Sequence, residues 1–160
     1  MREIEVVGVR IELPSNQPLV LLKEAQGPRH LPIWIGAPEA SAIAMSLQGI
    51  ETPRPMTHDL LASVVEALGR KLLEVRLVAV KDTVFYAQLA FDGGVEVDSR
   101  ASDAVALALR VGCPLTCAED VLEESGVLVS DDGRSSEGEE AELREFREFL
   151  ADVEPEDFET

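Results

Sequence analysis

The chain has 160 residues with 14 basic and 31 acidic side chains, which gives a formal net charge of −17. Its length suits one compact domain with an appended segment, and 46% apolar residues are typical of a globular protein. The acidity excludes binding of polyanions through a bulk positive field, and only 4% aromatic residues disfavour stacking of single-stranded nucleic acid. Since no apolar run reaches the roughly 18 residues that a membrane helix needs, we expect no membrane contact.

The charge is distributed unevenly along the chain. Residues 130–160 hold 13 acidic and 3 basic side chains, whereas the first 129 residues hold 18 and 11. This pattern predicts a folded domain at 1–129, a flexible acidic linker at 130–138 and an acidic C-terminal segment at 139–160. An apolar stripe in the last segment predicts an amphipathic helix that docks on the domain or on a neighbouring subunit: Leu143, Phe146, Phe149, Leu150 and Val153.

The first half of the domain predicts three strands followed by two helices. Alternating apolar residues and turn signals place the strands at 2–13, 19–24 and 30–35, and the helices at 38–48 and 57–68. Thr57 is the expected N-cap of the second helix. That helix carries an apolar stripe made of Leu60, Leu61, Val64, Val65 and Leu68.

The second half repeats the alternation of strands and helices. Strands are predicted at 72–80, 83–91, 94–98 and 114–117, and helices at 102–111, capped by Ser102, and at 119–125. The whole pattern predicts an α+β fold, with a mostly antiparallel, mixed β-sheet and helices packed on one face. The helix-forming segments that begin at Glu39 and Asp103 are similar at an offset of 64, which indicates either an internal pseudo-repeat or two ordinary Ala-rich helices.

Polar residues concentrate at two helix starts. In the segment PRPMTHD, a loop stiffened by two prolines places Arg54, His58 and Asp59 at or just before a helix start. An arginine can bind two phosphate oxygens, a histidine can move a proton near neutral pH, and an aspartate can hold a hard divalent ion. The alternative is that Thr57 and Asp59 are ordinary capping residues and His58 an ordinary helix-start residue.

The segment DSRASD places Arg100, Ser102 and Asp103 at the second helix start. Unpaired backbone N–H groups there are suited to accept a phosphate. The alternative is that Ser102 is a cap, Asp103 a partner of the helix dipole and Arg100 the partner of a nearby acid. Glu39 stands in the same position at the start of its own helix.

Several other residues are expected to have structural roles. Cys113 and Cys117 are expected to be small buried hydrophobes with reduced thiols, as in a cytoplasmic protein, since no histidine lies nearby to complete a metal site. Trp34 is expected in the core or an interface, and Arg29 at an exposed sheet edge. The sequence contains no Gly-rich phosphate loop, no HExxH, no paired CxxC and no nucleophile elbow.

Four ordered motifs resemble those of the bifunctional nuclease (BFN) domain family. They are LPIWIG followed by Glu39-Ala40, PRPMTHDLL, Phe85-Tyr86-Ala87, and the D-x-R-x-S-D-A pattern from Asp98 to Ala104. The similarity covers about residues 2–128, and the C-terminal FREFLADVEPEDF is also similar to that of bacterial members. The resemblance implies a mixed α+β fold, a homo-oligomer and activity on both DNA and RNA.

The resemblance also implies which residues form the site. The family's motif residues correspond here to Glu39, Arg54, Thr57, His58, Asp59, Asp98, Arg100, Ser102 and Asp103. Two positions depart from the pattern, since Ala101 stands where the family usually has Pro, and Thr83 where Gly commonly follows the Asp of the hairpin. Neither change removes a candidate catalytic group.

The first functional hypothesis is a metal-assisted phosphodiesterase that cleaves DNA or RNA. His58, Asp59 and Asp103 would be catalytic, with His58 activating water. Glu39, Asp59 and Asp103 would hold Mg²⁺ or Mn²⁺. The substrate would be bound by Arg54, Arg100, Ser102 and Thr57.

The second hypothesis is a non-enzymatic oligomeric module that binds a small anion or a protein partner. Geometry distinguishes the two hypotheses. Convergence of the three carboxylates with His58 favours hydrolysis, whereas convergence of the arginines without them favours binding.

Overall fold

The computed structural model describes residues 1–129, which form eight strands and four α-helices. The strands are β1 (Arg2–Glu12), β2 (Gln17–Glu24), β3 (Arg29–Trp34), β4 (Leu72–Lys81), β5 (Val84–Phe91), β6 (Glu96–Arg100), β7 (Leu115–Cys117) and β8 (Val127–Leu128). The helices are α1 (Ala37–Leu47), α2 (Thr57–Ala67), α3 (Ala101–Val111) and α4 (Glu119–Ser125). The predicted linker at 130–138 and C-terminal segment at 139–160 lie outside the described residues.

All described strands form one mixed sheet in the order β6-β5-β4-β7-β1-β2-β3-β8. Neighbouring strands are antiparallel, except that β4 and β7 are parallel. The predicted α+β class and mixed sheet are therefore confirmed. The order of three strands and a helix occurs twice, in β1–β2–β3–α1 and in β4–β5–β6–α3, but an internal duplication stays a prediction.

One hydrophobic core joins the sheet to its helices. Alternate strand residues, such as Val20, Leu22 and Leu77, pack with buried residues of α1, α3 and α4. The largest fully buried side chains come from both sheet halves and from these helices: Leu22, Leu31, Ile43, Leu77, Leu107 and Leu122. The core thereby fixes the starts of α1 and α3, which follow the strands β3 and β6 directly.

Helix α2 lies at the periphery of this core. It packs against α3, and its sole buried residue is His58. Of its predicted apolar stripe, Val65 packs against the core while the rest is exposed, with Leu68 at 76%. The helix prediction is confirmed, but periodicity alone could not indicate that most of the stripe faces outward.

The two predicted N-caps are wrong. Thr57 is the first residue of α2 and Met56 precedes it, where the backbone N–H of Met56 donates to the Asp59 carboxylate at 3.0 Å. A carboxylate at the third position of a helix can reach back in this way to the backbone N–H of the residue that precedes the helix. In α3 the N-cap position is held by Arg100, and Ser102 is buried within the first turn.

A partly buried ion pair closes the β2–β3 turn, which corrects the expectation that Arg29 is an exposed edge residue. The Arg29 guanidinium donates to Glu24 at 2.6 Å and to Glu119 at 2.9 Å, and its backbone N–H donates to Glu24 at 3.0 Å. The side-chain hydrogen bond from Arg29 lowers the pKa of Glu24 to about 2, against the opposing effect of burial. This network ties the sheet to the start of α4.

None of the described helices combines the length and the apolar character that crossing a lipid bilayer requires. Cys113 and Cys117 are both free thiols, as expected, and burial raises the pKa of Cys117 to about 12. A thiol with so high a pKa is a poor nucleophile near neutral pH.

The β4–β5 turn predicts a stabilising substitution. Asp82 and Thr83 both adopt left-handed conformations, with φ of 50° and 67°. A β-branched residue is disfavoured there, whereas glycine enters this region freely. We expect Thr83→Gly to raise the free energy of unfolding by about 1 kcal/mol in chemical denaturation. An unchanged or lower value would show that the turn holds no such strain.

Candidate active site

The first turns of α1, α2 and α3 meet at one polar cluster. Glu39 is the third residue of α1, His58 the second of α2 and Asp103 the third of α3, while Arg100 precedes α3. Hydrogen bonds link these four side chains to one another. Because helix N-termini carry unpaired N–H groups and partial positive charge, their convergence favours an anionic ligand.

Arg100 bridges the two carboxylates of the cluster. Its Nη2 donates to Glu39 Oε1 at 2.8 Å, and its Nε donates to Asp103 Oδ2 at 2.8 Å. These hydrogen bonds raise the pKa of Arg100, and the bond to Asp103 has the larger effect, so the guanidinium stays protonated. The side chain is 67% exposed, which leaves the cation accessible to solvent.

A glycine makes room for Glu39 in this arrangement. A Cβ on Gly36, the N-cap of α1, would collide with Oε2 of Glu39. The LPIWIG motif therefore ends on the residue that lets the Glu39 carboxylate fold back over the helix start. This places the glycine and the acid, three residues apart, in direct contact.

His58 and Asp103 form a pair across α2 and α3. The His58 Nε2 lies 3.1 Å from Asp103 Oδ1, and the histidine is 8% exposed. Asp103 thus contacts His58 through one oxygen and Arg100 through the other. A carboxylate held in this way fixes both the ring orientation and the tautomer of its histidine.

Asp59 belongs to a different network. Its Oδ1 accepts from Arg110 Nε at 2.7 Å, and Arg110 also donates to the carbonyls of Ala42 and Ala106 at 3.2 Å each. Successive residues of a helix point about 100° apart, so Asp59 does not share the direction of His58. Arg110 thereby ties α2 to α1 and α3.

Arg110 is the polar residue that sequence reasoning missed. Its side chain is 9% exposed, although arginine is rarely buried without partners. The available signal was its spacing of seven residues from Asp103, which puts both on one side of α3. Both residues contact α2, through His58 and Asp59.

The remaining predicted site residues do not join the cluster. Arg54 is exposed on the loop before α2, where its carbonyl accepts from the Thr52 hydroxyl at 2.6 Å. Thr57 is exposed, and Ser102 is buried in the first turn of α3. Of the three predicted carboxylates, Glu39 and Asp103 therefore converge with His58 and one arginine, whereas Asp59 does not.

The donor set does not fit a resident Mg²⁺ or Mn²⁺ ion. Such ions take oxygen ligands, but Glu39 and Asp103 share Arg100, while Asp59 is bound by Arg110 and the Met56 N–H. Within residues 1–129, no group of three or more His, Cys, Asp or Glu side chains is arranged to hold a metal. The arginines occupy the positions in which a cation would neutralise these acids.

Comparison with known proteins assigns the family. A family model described as the bifunctional nuclease domain matches residues 20–130. The chain belongs to the bifunctional nuclease domain family. Two Mycobacterium tuberculosis relatives are "Uncharacterized protein MT1877" of strain CDC 1551 / Oshkosh and "Uncharacterized protein Rv1829" of strain ATCC 25618 / H37Rv. Each is 50% identical over 161 residues, with 99% of this chain and 98% of the relative covered.

The family match includes the whole polar cluster. Glu39, His58, Arg100 and Asp103 all lie within residues 20–130 of this bifunctional nuclease domain. The family resemblance predicted from ordered motifs is therefore confirmed. The motifs are distant in sequence, but three of them each contribute a helix start, and these helix starts meet at the cluster.

Proposed function

We propose that the protein is a cytoplasmic nuclease that hydrolyses phosphodiester bonds in DNA and RNA at the cluster formed by Glu39, His58, Arg100 and Asp103. The observation that carries this proposal is the His58–Asp103 pair beside an exposed arginine, at the meeting point of three helix N-termini. Membership of the bifunctional nuclease domain family supports the reaction class.

His58 acts as the general base in the proposed reaction. Its Nε2–H donates to Asp103, so Nδ1 is the basic nitrogen that takes a proton from water. The water oxygen forms the new bond to phosphorus, and the P–O bond to the leaving oxygen breaks. The imidazolium, stabilised by the Asp103 carboxylate, returns its proton to the leaving oxygen.

Arg100 binds the phosphate in this scheme. Its Nε and Nη2 hold the two carboxylates, and Nη1 has no acceptor among residues 1–129. That nitrogen is directed to a non-bridging oxygen, where a fixed positive charge stabilises the charge that develops in the transition state. Glu39 is a positioning residue, because it holds the guanidinium from the opposite side.

The acidity of the domain limits substrate binding to a local patch. The helix N-termini and Arg100 offset the carboxylates, and the exposed Arg54 supplies a second cation on the loop before α2. Dependence on Mg²⁺ or Mn²⁺ stays a prediction, which requires a carboxylate to leave its arginine. Thr57 and Ser102 stay candidates for substrate contacts, and Asp59 stays a candidate for a catalytic or metal-binding role after such a rearrangement.

Cleavage assays on single-stranded DNA, duplex DNA and RNA test the proposal directly. The purified full chain is incubated with each substrate in Mg²⁺, in Mn²⁺ and in chelator. Cleavage of both nucleic acids supports the proposed nuclease, and the chelator arm decides whether a metal takes part. Binding of oligonucleotides without any cleavage would contradict hydrolysis.

The second candidate function is a homo-oligomeric binding module whose partner is another copy of this chain. The observation in its favour is the apolar face of α2, formed by Leu60, Leu61, Val64 and Leu68, all of them exposed. Neighbouring exposed apolar residues of this kind mark interaction surfaces in soluble proteins. This assembly is compatible with the nuclease, because Leu60 and Leu68 do not belong to the polar cluster.

Charge placed on the α2 face should reduce assembly. We expect the double variant Leu60→Glu/Leu68→Glu to have a lower mass by light scattering than the wild type, with an unchanged circular dichroism spectrum. Val84→Glu places the same charge on an exposed apolar residue of the β4–β5 hairpin and serves as the control. Equal masses for all three proteins would contradict assembly through α2.

A further inference from the structure

The sheet has a second buried apolar surface, separate from the main core. Leu19 and Leu21 in β2 are 5% and 6% exposed, yet neither belongs to the core that α1, α3 and α4 share. Their neighbours Val20 and Leu22 do belong to it. Because successive strand residues point to opposite faces, Leu19 and Leu21 lie on the face away from these helices.

The strand register defines this surface. Leu19 pairs with Arg10 on one side and with Trp34 on the other, and Leu21 pairs with Gly8 and Pro32. Directly paired residues share a face of the sheet, so these six residues form one patch across β1, β2 and β3. We call it the outer patch. Trp34 is 57% exposed, so it lies outside the core, and its expected alternative place in an interface stays a prediction.

The burial of Leu19 and Leu21 requires a covering layer. Leucine side chains on an open sheet face keep part of their surface in water, because strand neighbours flank them without covering them. Among residues 1–129, the buried residues of α1, α3 and α4 lie in the core on the other face. Helix α2 packs against α3.

We propose that residues 139–160 of the same chain pack over the outer patch. The described chain ends at Val129, directly after β8, and β8 pairs with Arg29 and His30 at the start of β3. Residue 130 therefore follows a strand that borders this half of the sheet. Strands lie about 4.8 Å apart, so β2 is roughly 10 Å from β8, within the reach of a linker that extends about 3.3 Å per residue.

The segment and the patch are complementary in chemistry. The stripe of Leu143, Phe146, Phe149, Leu150 and Val153 offers apolar side chains at helical spacing to Leu19, Leu21 and Trp34. Residues 139–160 hold 10 acidic and 2 basic side chains, whereas the six residues of the patch include Arg10 and no acidic residue; beside the patch, Lys23 of β2 pairs with Glu5 of β1. This docking does not rest on the proposed nuclease activity.

Trypsin digestion of the full chain tests the docking. The C-terminal region offers Arg134 in the linker, and Arg144 and Arg147 within the apolar stripe. We expect initial cleavage at Arg134 to be faster than at Arg144 and Arg147, because a docked segment resists proteolysis. Equal initial rates at the three sites in the native protein would overturn the proposal.

Two pairs of matched variants locate the contact. The double variant Phe146→Ser/Phe149→Ser should accelerate cleavage at Arg144 and Arg147. It should also increase the binding of an apolar dye, because the patch is uncovered. Phe158→Ser lies outside the stripe and should have neither effect. Arg10→Glu should accelerate the same cleavages, while Lys81→Glu, at the far end of β4, should not. Failure of Arg10→Glu to differ from its control would overturn the assigned location.

The mass of the protein separates docking within a chain from docking on a second copy. Docking within one chain predicts that Phe146→Ser/Phe149→Ser leaves the light-scattering mass unchanged and that protection of Arg144 and Arg147 does not depend on protein concentration. A mass that falls in this variant, or protection that is lost on dilution, would show that the segment covers a neighbouring subunit and would overturn the proposal.

Discussion

Replacing His58 by alanine is expected to reduce phosphodiester cleavage by about 10²–10⁴-fold, the usual contribution of a general base. His58 and Asp103 are 3.1 Å apart, and no other histidine is part of the cluster. The matched control is His30→Ala, because His30 lies at the start of β3 and its ring contacts the Pro28 carbonyl at 3.2 Å. Cleavage rates on the same DNA and RNA substrates give the comparison.

Folding must be measured alongside activity, because His58 is buried. The thermal midpoint and circular dichroism spectrum of His58→Ala establish whether the variant stays folded under the assay conditions. Full activity in a folded His58→Ala protein would contradict its role as the base. An equal loss in His30→Ala would show that the assay reports a general effect of histidine removal.

Replacing Glu24 is expected to have a large effect on the stability of the fold. This carboxylate is 5% exposed and accepts two hydrogen bonds from Arg29, one from the side chain and one from the backbone. We expect Glu24→Gln to lower the free energy of unfolding by about 1–3 kcal/mol, since the neutral amide weakens hydrogen bonds from a charged partner and turns a donor toward it. Urea denaturation at neutral pH measures the difference.

The pKa of Glu24 gives the same network a defined pH dependence. Its value of about 2 in the folded protein lies below the ordinary value of 4.5. A lowered folded pKa stabilises the protein above the unfolded pKa, and this contribution is lost as the pH falls from about 4.5 to about 2. Glu24→Gln should therefore lose less stability than the wild type across this range, and an identical loss would contradict the assignment.

Much of the fold followed from local patterns in the sequence. Alternation and glycine turns predicted β2, β5 and α1 to within one or two residues, because each has a regular apolar period and clear end signals. β8 is a two-residue strand, Val127–Leu128, and so short an element has no detectable period. Its existence depends on pairing with β3, which is a tertiary contact.

The sequence predicted part of the candidate site. Family motifs indicated Glu39, His58, Arg100 and Asp103, and the structure joins them through hydrogen bonds between residues as far apart as 61 positions. The spacing of Arg110 from Asp103 indicated a shared side of α3, but the partners of Arg110 depend on the packing of three helices, which local sequence does not encode. Periodicity identified α2, but the direction of its apolar face depends on which side α3 occupies.

In the proposed reaction His58 and Asp103 act as one catalytic unit, and a double-mutant cycle tests this coupling most directly. Cleavage rates are measured for the wild type, His58→Ala, Asp103→Ala and the double variant. Residues that act as a unit are non-additive, so the double variant should lose scarcely more activity than His58→Ala alone. Losses that multiply would show that the two residues act independently, and unchanged rates in all three variants would place the active site elsewhere.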